Sequence, residues 1–214
     1  MRMHLFFFTP VLVSFLALAG CSAFTDANPQ QNYVLSAPDI QANGPLLPLH
    51  LQVVPVDVGP GLDTTRIAFI DNDVQMNYVA DSRWAQPLPN MLQLLWIQTL
   101  KQSGLGASVG SDTDGEQADR IIHITASAFN AVRNHDGSII VRVHYEAVVN
   151  APLTRKVLSV ENSDYEQTTS SPSTEELINA FNKANIQAMD DLLAKLAIDL
   201  RGQDLKNKST NLRN

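Results

Sequence analysis

Residues 139–149 read IIVRVHYEAVV, with Ile139, Val141, Val143, Tyr145, Ala147 and Val149 on one parity and Arg142, His144 and Glu146 on the other. Side chains along a strand point alternately to opposite faces. The stretch is therefore a strand with one apolar and one polar face, the pattern of an antiparallel sheet with one side in water. Residues 120–129 repeat it with Ile122, Ile124, Ala126 and Ala128, and Asn134-His135-Asp136-Gly137 has turn chemistry. Residues 157–165 supply a third strand of the same meander. A sheet of this kind needs something to cover its apolar face.

Two helices meet that need. Pro87 and Pro89 fit only at a helix start, and Leu88, Met91, Leu92, Leu95, Trp96 and Leu100 then recur at helical spacing until Gly104. The second helix spans 173–200. Ser173-Thr174-Glu175-Glu176 has the capping-box spacing, and Ile178, Phe181, Met189, Leu192, Leu193 and Leu196 form the buried stripe. Before the first helix, residues 47–58 alternate as a strand with a bend or edge at Pro55. Residues 67–70 and 74–79 form a hairpin around Asp71-Asn72-Asp73. A short strand over 32–37 and a loop over 38–45 precede them, and 111–116 is a polar loop. The expected class is α+β: a single domain over 32–201, its antiparallel or mixed sheet packed against two main helices, with a polar tail over 202–214.

The chain begins MRMHLFFFTPVLVSFLALAGC. A positive residue, an apolar run and small residues, in that order, make a secretion signal over 1–20, too short for a comfortable bilayer span. It ends Leu18-Ala19-Gly20-Cys21, which resembles the bacterial lipobox, where cleavage precedes a cysteine that receives diacylglycerol and a further acyl chain. The resemblance makes Cys21 the lipid-attachment residue and 21–31 a lipidated tether. Cys21 is also the one cysteine of the chain, so an internal disulfide is excluded. Ser22 follows it, and in lipoproteins of Gram-negative bacteria this implies sorting to the outer membrane, facing the periplasm. The formal net charge of −7 argues against nucleic acid as the ligand.

No constellation for catalysis stands out. No serine sits in a Gly-x-Ser-x-Gly turn, and no His-x-x-x-His or His-Glu-x-x-His spacing occurs. His123 and His144 fall on neighbouring strands and could meet, but two histidines alone make a poor zinc site. Asp57 and Asp63 flank a Gly-rich bend without further support, and Asp71-Asn72-Asp73 lacks the glycine and glutamate of an EF-hand loop. The glycine pairs form no nucleotide loop. The expectation is a non-enzyme with no cofactor or metal. Trp84 reads as a core ring stapling the hairpin to the first helix, or, with Arg83, as a partner contact.

Two stretches carry a family likeness: Leu62-Asp63-Thr64-Thr65-Arg66-Ile67-Ala68 and Tyr78-Val79-Ala80-Asp81-Ser82-Arg83-Trp84-Ala85-Gln86-Pro87-Leu88. Together they resemble the signature of the ABC-type transport auxiliary lipoproteins, the PqiC-like family. Arg83, Trp84, Ala85, Pro87 and Leu88 match it, as do Leu62, Asp63 and Ile67. Gln86 stands where the family usually has Glu. The resemblance implies a non-enzymatic, outer-membrane-anchored auxiliary that docks an MCE-domain periplasmic protein and its ABC transporter, as a homo-oligomeric ring of copies, in a lipid-transport system maintaining the envelope. The rival reading is a periplasmic lipoprotein that scaffolds or regulates cell-wall synthesis enzymes.

Overall fold

The computed structural model describes residues 30–211, apart from 43, 72, 73, 116 and 170–172. The expected signal segment 1–20 and the lipid site Cys21 lie outside the described residues. The elements are β1 (Gln31–Tyr33), β2 (Leu47–Val53), β3 (Asp57–Val58), β4 (Arg66–Asp71), β5 (Gln75–Trp84), α1 (Leu88–Ser103), β6 (Gly106–Ser111), β7 (Arg120–Arg133), β8 (Ile139–Asn150), β9 (Val157–Thr168) and α2 (Thr174–Asn211).

The sheet is mixed and is organised by β7. One edge of β7 pairs antiparallel with β8, which pairs antiparallel with β9. The other edge is shared along its length by three short parallel strands: β2 opposite Arg120 to Ile122, β3 opposite Thr125 and Ala126, and β4 opposite Ala131 to Arg133. From these, two wings extend. β2 carries β6 in parallel, while β4 carries β5 antiparallel and β5 carries β1 in parallel.

The apolar parity of β8 packs inward as its alternation requires: Val141, Val143, Tyr145, Ala147 and Val149 are all fully buried. They share one core with Leu92, Trp96 and Leu100 of α1 and with Phe181, Met189, Leu192 and Leu196 of α2. Trp96 meets Tyr145 edge-on with ring centroids 5.4 Å apart. The Tyr145 hydroxyl donates to Asn185 Oδ1 at 2.6 Å, which satisfies the phenol's buried proton. Burial pushes this phenol well above its usual range, so it stays a neutral donor.

α1 starts and stops as its prolines and glycine dictate. Pro87 is its N-cap, and Gly104 closes it at φ 61°, its N–H donating to Lys101 O. At α2, Ser173 Oγ accepts the Glu176 N–H at 3.3 Å, which is one half of the expected capping box.

Several boundaries differ from the sequence reading. The 47–58 strand is split into β2 and β3 around Pro55, because proline has no N–H for the ladder to β7. Gly59 follows so close to β7 that an added Cβ would lie 2.5 Å from Ser127 O. β6 was not anticipated, and β5 runs on through Trp84. Helix α2 continues to Asn211, through most of the expected polar tail. Gln203 in that extension donates to Leu158 O at 3.1 Å, and Lys195 donates to Asn162 O at 2.7 Å. Side chains of α2 thus take up outward carbonyls along the β9 edge.

Candidate functional site

The two stretches that carried the family likeness are neighbours in space. Arg66 stands opposite Arg83 in the β4–β5 ladder. The Trp84 N–H donates to Thr65 O at 2.7 Å, the Leu88 N–H to Thr64 O at 3.1 Å, and the Ala85 N–H to Tyr33 O at 2.7 Å. The run from Arg83 to Leu88 is therefore threaded between the 64–65 turn and β1 before α1 begins. Its proline spacing starts the helix, and its backbone joins three segments.

Trp84 is 1% exposed. Its ring meets Phe129 of β7 edge-on at 6.1 Å and Phe181 of α2 edge-on at 5.4 Å, and those two phenylalanines stack on each other at 5.4 Å. Edge-to-face rings of this kind contribute beyond their buried area. The ring joins β5 to β7 and α2 within the core that also holds Leu88, Leu92 and Trp96 of α1. A ring enclosed this way offers no surface to a partner. Arg83, half-buried beside it, is the member of the pair that keeps some exposure.

The part of β5 above this junction, Gln75 to Ala80, has no partner on its outer side among the described residues, and β1 covers only Ser82 to Trp84. Asp81, at φ 52°, separates the two portions, and the β4–β5 register shifts between Arg66 and Ala68. That upper portion borders a groove of about 590 Å³ that reaches the first turn of α2 at Thr174 and Leu177. Arg66 and Arg133 both line it. The Arg66 guanidinium lies 3.6 Å over the Tyr78 ring and that of Arg133 lies 4.9 Å over the Phe69 ring. Asp71 approaches Arg133 at 3.6 Å and accepts from Asn77 Nδ2 at 3.0 Å. Tyr78 is held from below, its hydroxyl donating to Gly61 O at 3.2 Å. Gly61 has φ 77°, and an added Cβ there would lie 2.4 Å from Met76 Sδ.

Among the described residues the other chemistry-bearing side chains are spread over the molecule. His50 Nδ1 and Ser108 Oγ are 2.7 Å apart across β2 and β6, a pair the sequence reading missed because β6 was not seen. Asp119 accepts the His50 backbone N–H at 2.8 Å. His123 stands opposite Val148 and His144 opposite Ala128, so the two histidines do not meet; His144 faces Asp164 at 3.9 Å. Asp57 and Asp63 are both exposed and lie on either side of the Gly59–Gly61 bend. Among the described residues no group of His, Cys, Asp and Glu could hold a metal ion. Shifted carboxylates are scattered. Hydrogen bonds from Ser111 and Ser138 hold Asp114 and Asp136 below their usual range, while burial raises Asp190.

Residues 33–196 match the family model described as ABC-type transport auxiliary lipoprotein component. Among solved structures, the chain is similar to protein XCC0632 from Xanthomonas campestris, at 18% identity and a TM-score of 0.67, covering 83% of this chain and 98% of that one. It is also similar to an uncharacterised protein at 16% identity and a TM-score of 0.56, over 77% of this chain and 99% of that one. The hypothetical protein CT253 from Chlamydia trachomatis shares the fold at 7% identity and a TM-score of 0.50, over 72% of this chain and 98% of that one. These likenesses establish the fold. A search of curated proteins gives no match.

Proposed function

The chain belongs to the ABC-type transport auxiliary lipoprotein component family, and we propose that it is the lipid-anchored subunit tying an MCE-domain protein and its ABC transporter to the periplasmic face of the outer membrane. The observation that carries this reading is the extent of the family match, which runs from β1 into α2 and so takes in the sheet and both helices. The role is auxiliary and non-enzymatic: the subunit positions the transport assembly, and the lipid-moving work belongs to its partners.

In this proposal residues 1–20 are removed and Cys21 receives the diacylglycerol and acyl chains. Each buried CH₂ contributes about 0.8 kcal/mol, and stable anchoring needs more than one chain. The segment between Cys21 and β1 spans at most about 3.5 Å per residue, which keeps the domain close to the bilayer. A ring of copies would offer the partner several equivalent docking edges. Isolation of the tagged, lipidated protein from cell envelopes tests the reading. Recovery of the MCE-domain protein is expected, and recovery of cell-wall synthesis enzymes in its place would overturn it.

A further inference from the structure

We propose that the far end of α2, around Ile198 and Leu205, is the surface on which the MCE-domain partner docks, through an amphipathic helix with acidic flanks. The proposal rests on the auxiliary-subunit reading and adds to it the place of contact.

The first observation is a second apolar face. Leu192, Leu196 and Leu200 turn one side of α2 into the core and are buried. On the opposite side Ala194, Ile198 and Leu205 follow at helical spacing, and Ile198 is 72% and Leu205 67% exposed. A helix that packs one stripe on its own core ordinarily keeps the other side polar. Beside this second stripe runs a groove of about 340 Å³, lined by Ile40, Leu105, Leu193, Ala197, Ile198 and Arg201 among others. An apolar stripe at this spacing beside a groove is what an incoming amphipathic helix packs against.

The second observation is charge. In a chain of net charge −7, residues 201–208 carry Arg201, Lys206 and Lys208 against Asp204 alone. Lys208 meets Asp204 at 2.7 Å, and its side chain remains 64% exposed. This end attracts acidic flanks on a partner and repels the same end of a second copy.

The third observation is reach. The Ser36 N–H donates to Asn182 Oδ1 at 2.8 Å. Gly44 lies so close to Arg201 that an added Cβ would be 2.8 Å from its Cζ. The chain after β1 therefore follows α2 towards its C-terminus, and β1, which runs parallel to β5, is entered from the side of the β4–β5 hairpin. Helix α2 from Asn182 to Leu205 is about 35 Å long. The segment from Cys21 to Gln31 spans at most about 35 Å when drawn straight, whereas β5 from Ser82 back to Gln75 is only about 23 Å long. An anchor on Cys21 thus holds the hairpin end within reach of the bilayer and leaves the end of α2 turned to the periplasm. A lipid surface is a poor occupant for the stripe, and a protein standing away from the membrane fits it.

A photo-crosslinking residue is placed at Leu205 of the tagged full-length protein or, as a control at the opposite end, at Val74, which is 88% exposed. Cells are irradiated before envelopes are isolated. The MCE-domain protein is expected as the product at Leu205, about fivefold or more over Val74. The double variant Ile198→Ser, Leu205→Ser should recover about fivefold less of it with an unchanged melt, and Lys206→Glu, Lys208→Glu about threefold less. Should a variant fail to fold, the crosslinks on the otherwise native chain still decide. Crosslinks from Leu205 to lipid or to a second copy only, or full recovery with the Ile198→Ser, Leu205→Ser variant, would each overturn the proposal. A native protein that recovers the MCE-domain protein but crosslinks to it only from Val74 would overturn this surface and leave the proposed function standing, whereas one that recovers none would overturn both.

Discussion

Trp84 and Arg83 are adjacent in sequence and opposite in environment. Trp84 closes a cluster with Phe129 and Phe181 that joins β5, β7 and α2, whereas Arg83 keeps part of its side chain in water. Truncation of a buried aromatic of this size costs about 3–5 kcal/mol, comparable with the whole stability of a modest domain. Trp84→Ala is therefore expected to lower the melting temperature sharply or abolish folding, while Arg83→Gln leaves the melt near that of the native protein. Thermal melts of the two variants side by side check this, and an unchanged melt for Trp84→Ala would refute the core role. The tryptophan was legible as a core candidate from its place before the helix-starting prolines. Its true neighbours were not, because Phe129 and Phe181 are distant in sequence and only the sheet topology brings them together.

At the level of elements, the seam between β9 and α2 is where charge is least comfortable. Glu161 is raised above its usual value of 4.5, first by desolvation and then by Asp199 beside it, with Lys195 opposing. Asp199 also accepts a hydrogen bond from Ser159 Oγ. A carboxyl with a raised folded-state pKa holds its proton longer when folded than when unfolded, so stability falls as pH rises from the ordinary value through the folded one. Glu161→Gln should thus raise the melting temperature slightly at about pH 7, and the advantage should fade towards about pH 4. Melts across that range test the sign, and a gain that grows in acid would contradict it. Legibility followed side-chain contrast. β7 and β8 were read because bulky apolar residues alternate with polar ones, and β9 was added as the next strand of their meander although its buried parity carries Ser159 and Ser163. β6 was missed because Gly106-Ala107-Ser108-Val109-Gly110-Ser111 has almost no bulk on either face, and it is a strand by virtue of its pairing with β2. The groove at β5 could not be read either. It needs Arg133, Phe69 and the start of α2 at one place, and no local pattern announces that.

For the whole molecule, anchorage and fold are separate problems. Cys21→Ser should stop lipid attachment and leave uncleaved precursor in the inner membrane, while the core, which contains no cysteine, is unaffected. Labelling cells with a palmitate analogue reads this directly, and equal labelling of variant and native protein would remove Cys21 as the lipid site. The arrangement around β7 has a consequence for the order in which the fold forms. Among the described residues of the sheet, the wing of β1, β5 and β4 and the wing of β2 and β6 do not pair with each other, and β7 joins both. A chain exported N-terminus first delivers both wings before the strand that unites them. Parallel pairings between segments so far apart in sequence are slow to close, because loop entropy is lost before contacts are gained. The two wings of this protein must then wait, unjoined to each other in the sheet, until Arg120 to Arg133 has crossed.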